Sequence, residues 1–434
     1  MTPRSVFALF LAMGAVAAAQ IPDGTGLPPA RADRLTGLYR FDNGDRLHVT
    51  DLVDQIGHAV LSVTEYSTGR LRALYPGNDG AFDAGRSWFQ RSPTSYRVRF
   101  DESRQPASSL VWTENGRART ATRVPLVERD VTISHGGMTM AGTLARPPGG
   151  GPHPAIVMIP GSGPLTRRTL RLTGDFLVSE GIAVLTVDKR GTGGSSGDWN
   201  GLSHADWAAD VHAQLDWLKA QPGIDAQRLG VFAGSEGGFV GPVVAASRSD
   251  VRFLVCRVCS ALPHGPVIVD METGAMRRRG LSESDVRRAG DLLERMIRYA
   301  TERTGYDELV ATASAGKGAP WRTIIPFAEI PARDAAYWDR YRGVLNVDPR
   351  EAYARLRNPV LAILGERDER ILVERHASAF RRLASSGVDL TLWIEPGASH
   401  GLLVDEATVP RYSSDFYQRL ADWVRGRVAS SRTR

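Results

Sequence analysis

The 434-residue chain is 42% apolar and 24% charged, the composition of an ordinary folded protein and not of a disordered one. At about 100 to 200 residues per domain, this length accommodates two or three domains. Net charge is +6, yet only three of the 54 basic residues are lysines (Lys189, Lys219, Lys317) and the excess is spread along the chain, so nothing marks a nucleic-acid binder.

Arg4 precedes an apolar run from Val6 to Val16, which leads into Ala17-Ala18-Ala19-Gln20. This is the charged start, apolar middle and small-residue cleavage site of a secretory signal peptide, so residues 1–19 are expected to be removed and the mature protein exported, to periplasm or medium. A membrane anchor would take about 20 apolar residues. No stable membrane insertion is therefore expected.

From about Gly37 to Arg123 short alternating runs are broken by turn residues. Leu38–Phe41 and Arg46–Val49 flank Asp42-Asn43-Gly44-Asp45, and Leu110–Thr113 and Arg117–Thr122 flank Glu114-Asn115-Gly116. Asn-Gly between such runs signals a tight hairpin. Residues 20–124 are expected to form a small antiparallel β domain with no cluster of nucleophile, base and acid.

Around Val124 to Arg129 the texture changes. Val131–Ser134 and Met138–Leu144 read as a hairpin about Gly136-Gly137. Strands are then expected over Pro154–Ile159, Ile182–Val187, Leu229–Phe232, Phe253–Val258, Val360–Leu364 and Leu390–Ile394. They alternate with helices over Leu170–Ser179, His204–Ala220, Glu236–Ser247, Val373–Ser385 and Ser413–Arg425. Such alternation means a mostly parallel sheet with helices on both faces, here over residues 125–428. One insertion, about 262–358, interrupts it with helical patterns such as Val286–Tyr299 and reads as a cap over the mouth of the sheet.

The only cysteines, Cys256 and Cys259, fall in a segment that reads as a buried strand, where positions three apart face opposite sides. Core thiols are favoured; a disulfide stays open, and a zinc site would need more ligands. No metal set is visible, and no cofactor is expected.

Leu229 to Gly238 reads as strand, tight turn and helix around Ser235. A serine on a strained turn needs small residues two before and two after it, and Ala233 and Gly237 stand there. Past the strand Pro359–Leu364 comes Gly365-Glu366-Arg367-Asp368, and past the next strand Glu395 to Gly401 carries His400. Ligands and catalytic groups collect at such C-terminal strand ends. A nucleophile, a base and an acid therefore fall at three strand ends in the order Ser235, Asp368, His400.

Over residues 125 to 428 the chain resembles the α/β-hydrolase superfamily. Ala233-Gly234-Ser235-Glu236-Gly237-Gly238 is similar to the Ser-Glu-Gly-Gly elbow of a bacterial branch of acyl esterases that stands beside the serine aminopeptidases and prolyl oligopeptidases. The Gly-Ser-Gly-Pro of that branch is matched by Gly161 to Pro164, and its Asp-Lys-Arg-Gly-x-Gly-x-Ser by Asp188 to Ser195. The resemblance implies an α/β-hydrolase core with a helical cap. It implies a serine esterase that cleaves a small-molecule ester through an acyl-enzyme, with a peptidase as the alternative and a silent binding protein as a remoter one.

In that reading Ser235 attacks the carbonyl, His400 moves its proton, and Asp368 orients the ring. Glu366 and Glu369 are neighbours, but the family spacing points to Asp368. The oxyanion donors are expected to be the N–H groups of Glu236 and Ser162, with Gly161 and Gly163 lining the substrate's path. Phe327, Tyr337 and Trp338 in the cap are the candidate wall of the acyl pocket, with the cap's own core the alternative for each. Arg167, Arg168 and Arg171, and Arg277 to Arg279, read as solvated faces unless they line the entrance. Gly161-Ser162-Gly163 is not a dinucleotide turn, because Thr166 stands where the third glycine would be. Ser314 to Lys317 spells S-x-x-K without its partner motifs.

Overall fold

The computed structural model describes residues 27–51, 61–85, 95–323, 329–345, 347–404 and 410–429. The leader expected at residues 1–19 and Phe327 lie outside the described residues. After a short helix, α1 (Pro29–Leu35), strands β1 (Gly37–Phe41) to β8 (Arg117–Arg123) form a closed antiparallel barrel, completed by the pairing of β1 with β8. At the β7–β8 hairpin Glu114 pairs with Arg117, and Asn115 and Gly116 between them both take positive φ, the turn that matches strand twist. The barrel has its own apolar core, with Tyr39, Phe82 and Trp112 fully buried.

The second sheet has eight strands. β9 (Val127–His135) and β10 (Met138–Arg146) are antiparallel, and β10 pairs antiparallel with β12 (Ala183–Val187). The rest run parallel: β11 (His153–Ile159), β13 (Ile224–Gly234), β14 (Val251–Arg257), β15 (Val360–Gly365) and β16 (Leu390–Glu395), in the order β9-β10-β12-β11-β13-β14-β15-β16. Fully buried Val, Ile, Leu and Ala fill the central strands, as expected of a sheet covered on both faces. This is the α/β-hydrolase fold. Covering helices include α2 (Arg171–Ser179), α3 (His204–Lys219) and α4 (Gly241–Ser247).

Among the described residues five α-helices lie between β14 and β15: α5 (His264–Arg278), α6 (Glu283–Glu302), α7 (Tyr306–Ala315), α8 (Tyr337–Leu345) and α9 (Pro349–Arg355). Apart from α9, they share a core of their own around Leu292, Met296, Trp321 and Trp338. The sheet is completed by α10 (Val373–Ser385) and α11 (Phe416–Val428). Among the described residues no helix is long and apolar enough to cross a membrane.

Two local readings are corrected. The segment after Ser235 does not start as an α-helix: Ser235–Phe239 is a 3₁₀ turn, and α4 begins only at Gly241 with Pro242 in its first turn. Cys256 and Cys259 do not face opposite sides. The strand ends at Arg257, Val258 turns the chain with φ of 52°, and both cysteines join one core layer as free thiols.

The barrel is held against α2 by buried polar contacts. His48 Nε2 lies 2.8 Å from Asp175 Oδ2, and Tyr66 donates to Leu172 O at 2.6 Å. Arg167, Arg168 and Arg171 belong to this seam. They pair with Asp188, Asp33 and Glu128 and line a cavity of about 570 Å³ between barrel and sheet.

Candidate active site

Ser235 follows the last residue of β13, with its backbone held at φ of 50°. A non-glycine residue in that region is strained, and the strain thrusts the hydroxyl outward at the strand end. Close packing explains the small neighbours. A Cβ on Gly237 would stand 2.6 Å from Pro160 O, and one on Gly241 would stand 2.7 Å from the Cβ of Ala233. The alanine two before the serine is thus accommodated by a glycine eight residues further on.

Ser235 Oγ lies 3.0 Å from His400 Nε2, and His400 Nδ1 lies 2.7 Å from Asp368 Oδ2. The Asp368 carboxylate is fully buried, while the His400 ring keeps 13% of its surface. The second Asp368 oxygen accepts the N–H groups of Arg370 at 2.8 Å and Ile371 at 3.2 Å. Those bonds fix the carboxylate plane that aims at the ring. Glu369 accepts the His400 backbone N–H at 3.0 Å and Glu366 that of Gly397 at 2.8 Å, so both neighbouring acids brace the histidine loop. The arrangement can remove a proton from the serine hydroxyl and hold the resulting imidazolium.

Glu236 is the second residue of the 3₁₀ turn, where the first N–H groups lack intrahelical acceptors. Gly161 lies against Ser235: a Cβ built there would be 3.3 Å from Ser235 Cβ. Ser162 and Gly163 follow in the same loop, Gly163 with φ of 90°.

The aromatic wall expected in the cap is a different matter. Trp338 is fully buried in the cap's own core, donating from Nε1 to Ala332 O at 2.8 Å and meeting Tyr299 edge-on at 4.8 Å. Tyr337 is 5% exposed in the same cluster and stacks on Tyr341. Apolar aromatics among prolines do not reveal which face they present, and here the cap's need for a core takes both. Ser314 is in α7 and Lys317 in the turn after it, both exposed.

Sequence reasoning missed a buried polar group beneath the elbow. Lys189 Nζ donates to Gly161 O at 2.9 Å, stands 3.5 Å from Glu236 Oε2, and sits over the Trp207 ring at 3.9 Å. His204 Nε2 is 3.5 Å from the other Glu236 oxygen. Burial alone would raise the Glu236 carboxyl, but the Lys189 charge and the His204 ring hold it well below the usual carboxylate range. A lysine inside a recognised motif, on a chain with only three, was the available signal.

The sequence model of the X-Pro dipeptidyl-peptidase (S15 family) matches residues 136–401. Two Escherichia coli proteins, each described as an uncharacterized 31.7 kDa protein in the traX-finO intergenic region, are 30% identical over 136 residues, 31% of this chain and 47% of theirs. The chain thus spans about half the length of these curated relatives. Among solved structures, DcsB in complex with its substrate analogue is 19% identical, with 70% of this chain and 100% of that one covered at a TM-score of 0.46. The Pyrococcus furiosus esterase Pf2001 is 17% identical, with 70% and 92% covered at a TM-score of 0.45. With a family match over more than half its length, the chain belongs to the X-Pro dipeptidyl-peptidase (S15) family and carries the α/β-hydrolase fold.

Proposed function

We propose that this protein is an exported serine hydrolase that cleaves carboxylic esters through an acyl-enzyme on Ser235. The observation that carries the reading is the continuous line from Ser235 Oγ through His400 to Asp368, at 3.0 and 2.7 Å. His400 takes the hydroxyl proton as Ser235 attacks and returns it to the leaving alcohol. Water then repeats the sequence on the acyl-enzyme. The N–H groups of Glu236 and Ser162 receive the oxyanion; losing one such donor costs about 10²- to 10³-fold in turnover. The ester reading over the peptidase reading is supported by the state of Glu236, the acid next to the nucleophile in the chain. Its carboxylate is committed to Lys189 and the His204 ring and so offers no uncompensated charge to a peptide's terminal ammonium.

A second reading, removal of short peptides from an amino terminus, is favoured by one residue besides the family match. Glu272 on α5 is 4% exposed, and burial lifts its carboxyl to about 7 against the pull of Arg279 and Arg370. Arg370 is two residues past Asp368, so this cap carboxyl stands on the acid-loop side. Purified mature protein assayed on p-nitrophenyl esters of graded chain length, beside aminoacyl and dipeptidyl p-nitroanilides, decides between the two. Turnover of the esters alone supports the first reading. Turnover of dipeptidyl anilides that Glu272→Gln abolishes replaces it with the second.

A further inference from the structure

Lys189 occupies an unusual place for an ammonium group. Its side chain is 4% exposed, under the loop that follows β11 and beside the turn that follows β13. Three groups surround it: the Gly161 carbonyl at 2.9 Å, the Glu236 carboxylate at 3.5 Å and the face of Trp207 at 3.9 Å. Burying a charge this way is costly unless it is paired and hydrogen-bonded, so the arrangement must return something.

The two polar partners are the two residues that govern the oxyanion donors. In a trans peptide the C=O and N–H point in opposite directions. The carbonyl of Gly161 and the N–H of Ser162 belong to one peptide plane, so an ammonium that holds the carbonyl from one side turns the N–H to the other. The loop is already pressed against the nucleophile, since a Cβ on Gly161 would approach Ser235 Cβ to 3.3 Å. At the other end Lys189 is paired with the side chain of Glu236, whose own backbone N–H follows Ser235 directly in the elbow turn.

We propose that Lys189 is a positioning residue that sets both oxyanion donors at once, fixing Ser162 N–H through the Gly161 carbonyl and Glu236 N–H through its carboxylate. This rests on Ser235 being the nucleophile. The motif Asp188 to Ser195 then has a division of labour. Asp188 accepts the N–H groups of Arg167 at 2.7 Å and Gly194 at 2.9 Å, and Thr192 Oγ1 donates to Leu165 O at 3.1 Å. These bonds brace the two loops against each other, and Lys189 reaches from that brace to the reacting centre.

The test uses Lys189→Met, which keeps the stem and removes the charge, and the double variant Lys189→Met with Glu236→Gln, which removes both charges and leaves no buried carboxylate alone. Each is assayed on p-nitrophenyl butyrate, and its affinity for phenylboronic acid, which forms a tetrahedral adduct on a nucleophilic serine, is measured beside it. The expected result is a fall in kcat of about 10²-fold with KM changed less than about threefold, and boronate affinity lost in proportion to kcat, because only the tetrahedral species uses the donors. The double variant remains at least about tenfold slow, since Gly161 O still lacks its donor. A double variant with the parent kcat and boronate affinity would show that the pair only balances charge, and would overturn the proposal. Parent protein whose ester turnover survives Ser235→Ala would instead overturn the serine reading beneath it.

Discussion

The ring of His264, the first residue of α5, stacks on Phe239, the last residue of the elbow turn, with centroids 4.2 Å apart and planes at 25°. His204, 3.5 Å from Glu236, packs against both rings, with centroids 5.4 Å from Phe239 and 5.2 Å from His264. The cap is therefore rooted directly on the turn that carries Ser235. Phe239→Ala is expected to cost about 3–5 kcal/mol of stability, as for other buried aromatics, and to lower kcat/KM as the elbow loosens. Thermal unfolding together with steady-state kinetics checks it; a variant with parent Tm and parent kcat/KM contradicts the coupling.

The contact between Ala233 and Gly241 gives a reciprocal prediction. Gly241→Ala puts two methyl groups in one space and should cost about 1–3 kcal/mol, while adding Ala233→Gly should recover most of that loss. Denaturant midpoints of the two single variants and the double variant measure the coupling. Additive effects would mean that the two positions do not share the space.

Buried Glu272 predicts a pH dependence of stability. Burial raises its carboxyl from the ordinary 4.5 to about 7, so the native state prefers the protonated form. Its contribution is full below about pH 4.5 and is lost as pH rises through about 7, a change of about 3 kcal/mol at roughly 1.4 kcal/mol per pH unit. Glu272→Gln should therefore gain stability relative to the parent between those limits and hold the gain above them. Urea midpoints at pH 4, 6 and 8 test this, and a difference that does not vary with pH rejects it.

On the acid side the sign reverses. Burial pushes the rings of His264 and His376 down to about 4, so each is held neutral in the fold. Their stabilising contribution is present above the unfolded value of about 6.5 and is lost as pH falls toward 4. His376→Gln should flatten the acid limb of the stability curve, and an unchanged limb would assign acid loss to other groups.

Trp338 separates cap stability from substrate choice. Being wholly inside the cap core, Trp338→Ala should lower stability by about 3–5 kcal/mol and leave the ratio of kcat/KM between short and long esters unaltered. A shifted ratio would put the residue against the acyl chain after all.

How much could be read beforehand differs by element for physical reasons. The alternation of strands and helices in the sheet was legible because each strand is buried on both faces, and the β7–β8 hairpin because Asn115 and Gly116 are the residues its turn demands. Ser235 stood out because backbone crowding forces small residues around it. For Trp338 pocket wall and cap core both stayed open, because hydrophobicity gives burial but not which surroundings receive a side chain. The cysteine geometry failed at Val258, where a branched residue takes a positive φ that its type disfavours. Lys189 was hidden for another reason: its contacts join loops after three different strands, and local pattern carries no record of such a meeting.

The central claim is that Ser235 is the nucleophile. The most direct measurement is mass spectrometry of the purified protein after reaction with a fluorophosphonate, with the adduct mapped to its peptide. The account predicts one adduct per chain, on the peptide containing Ser235, absent in a folded Ser235→Ala variant. An adduct on another residue, or labelling that survives the substitution, would contradict it.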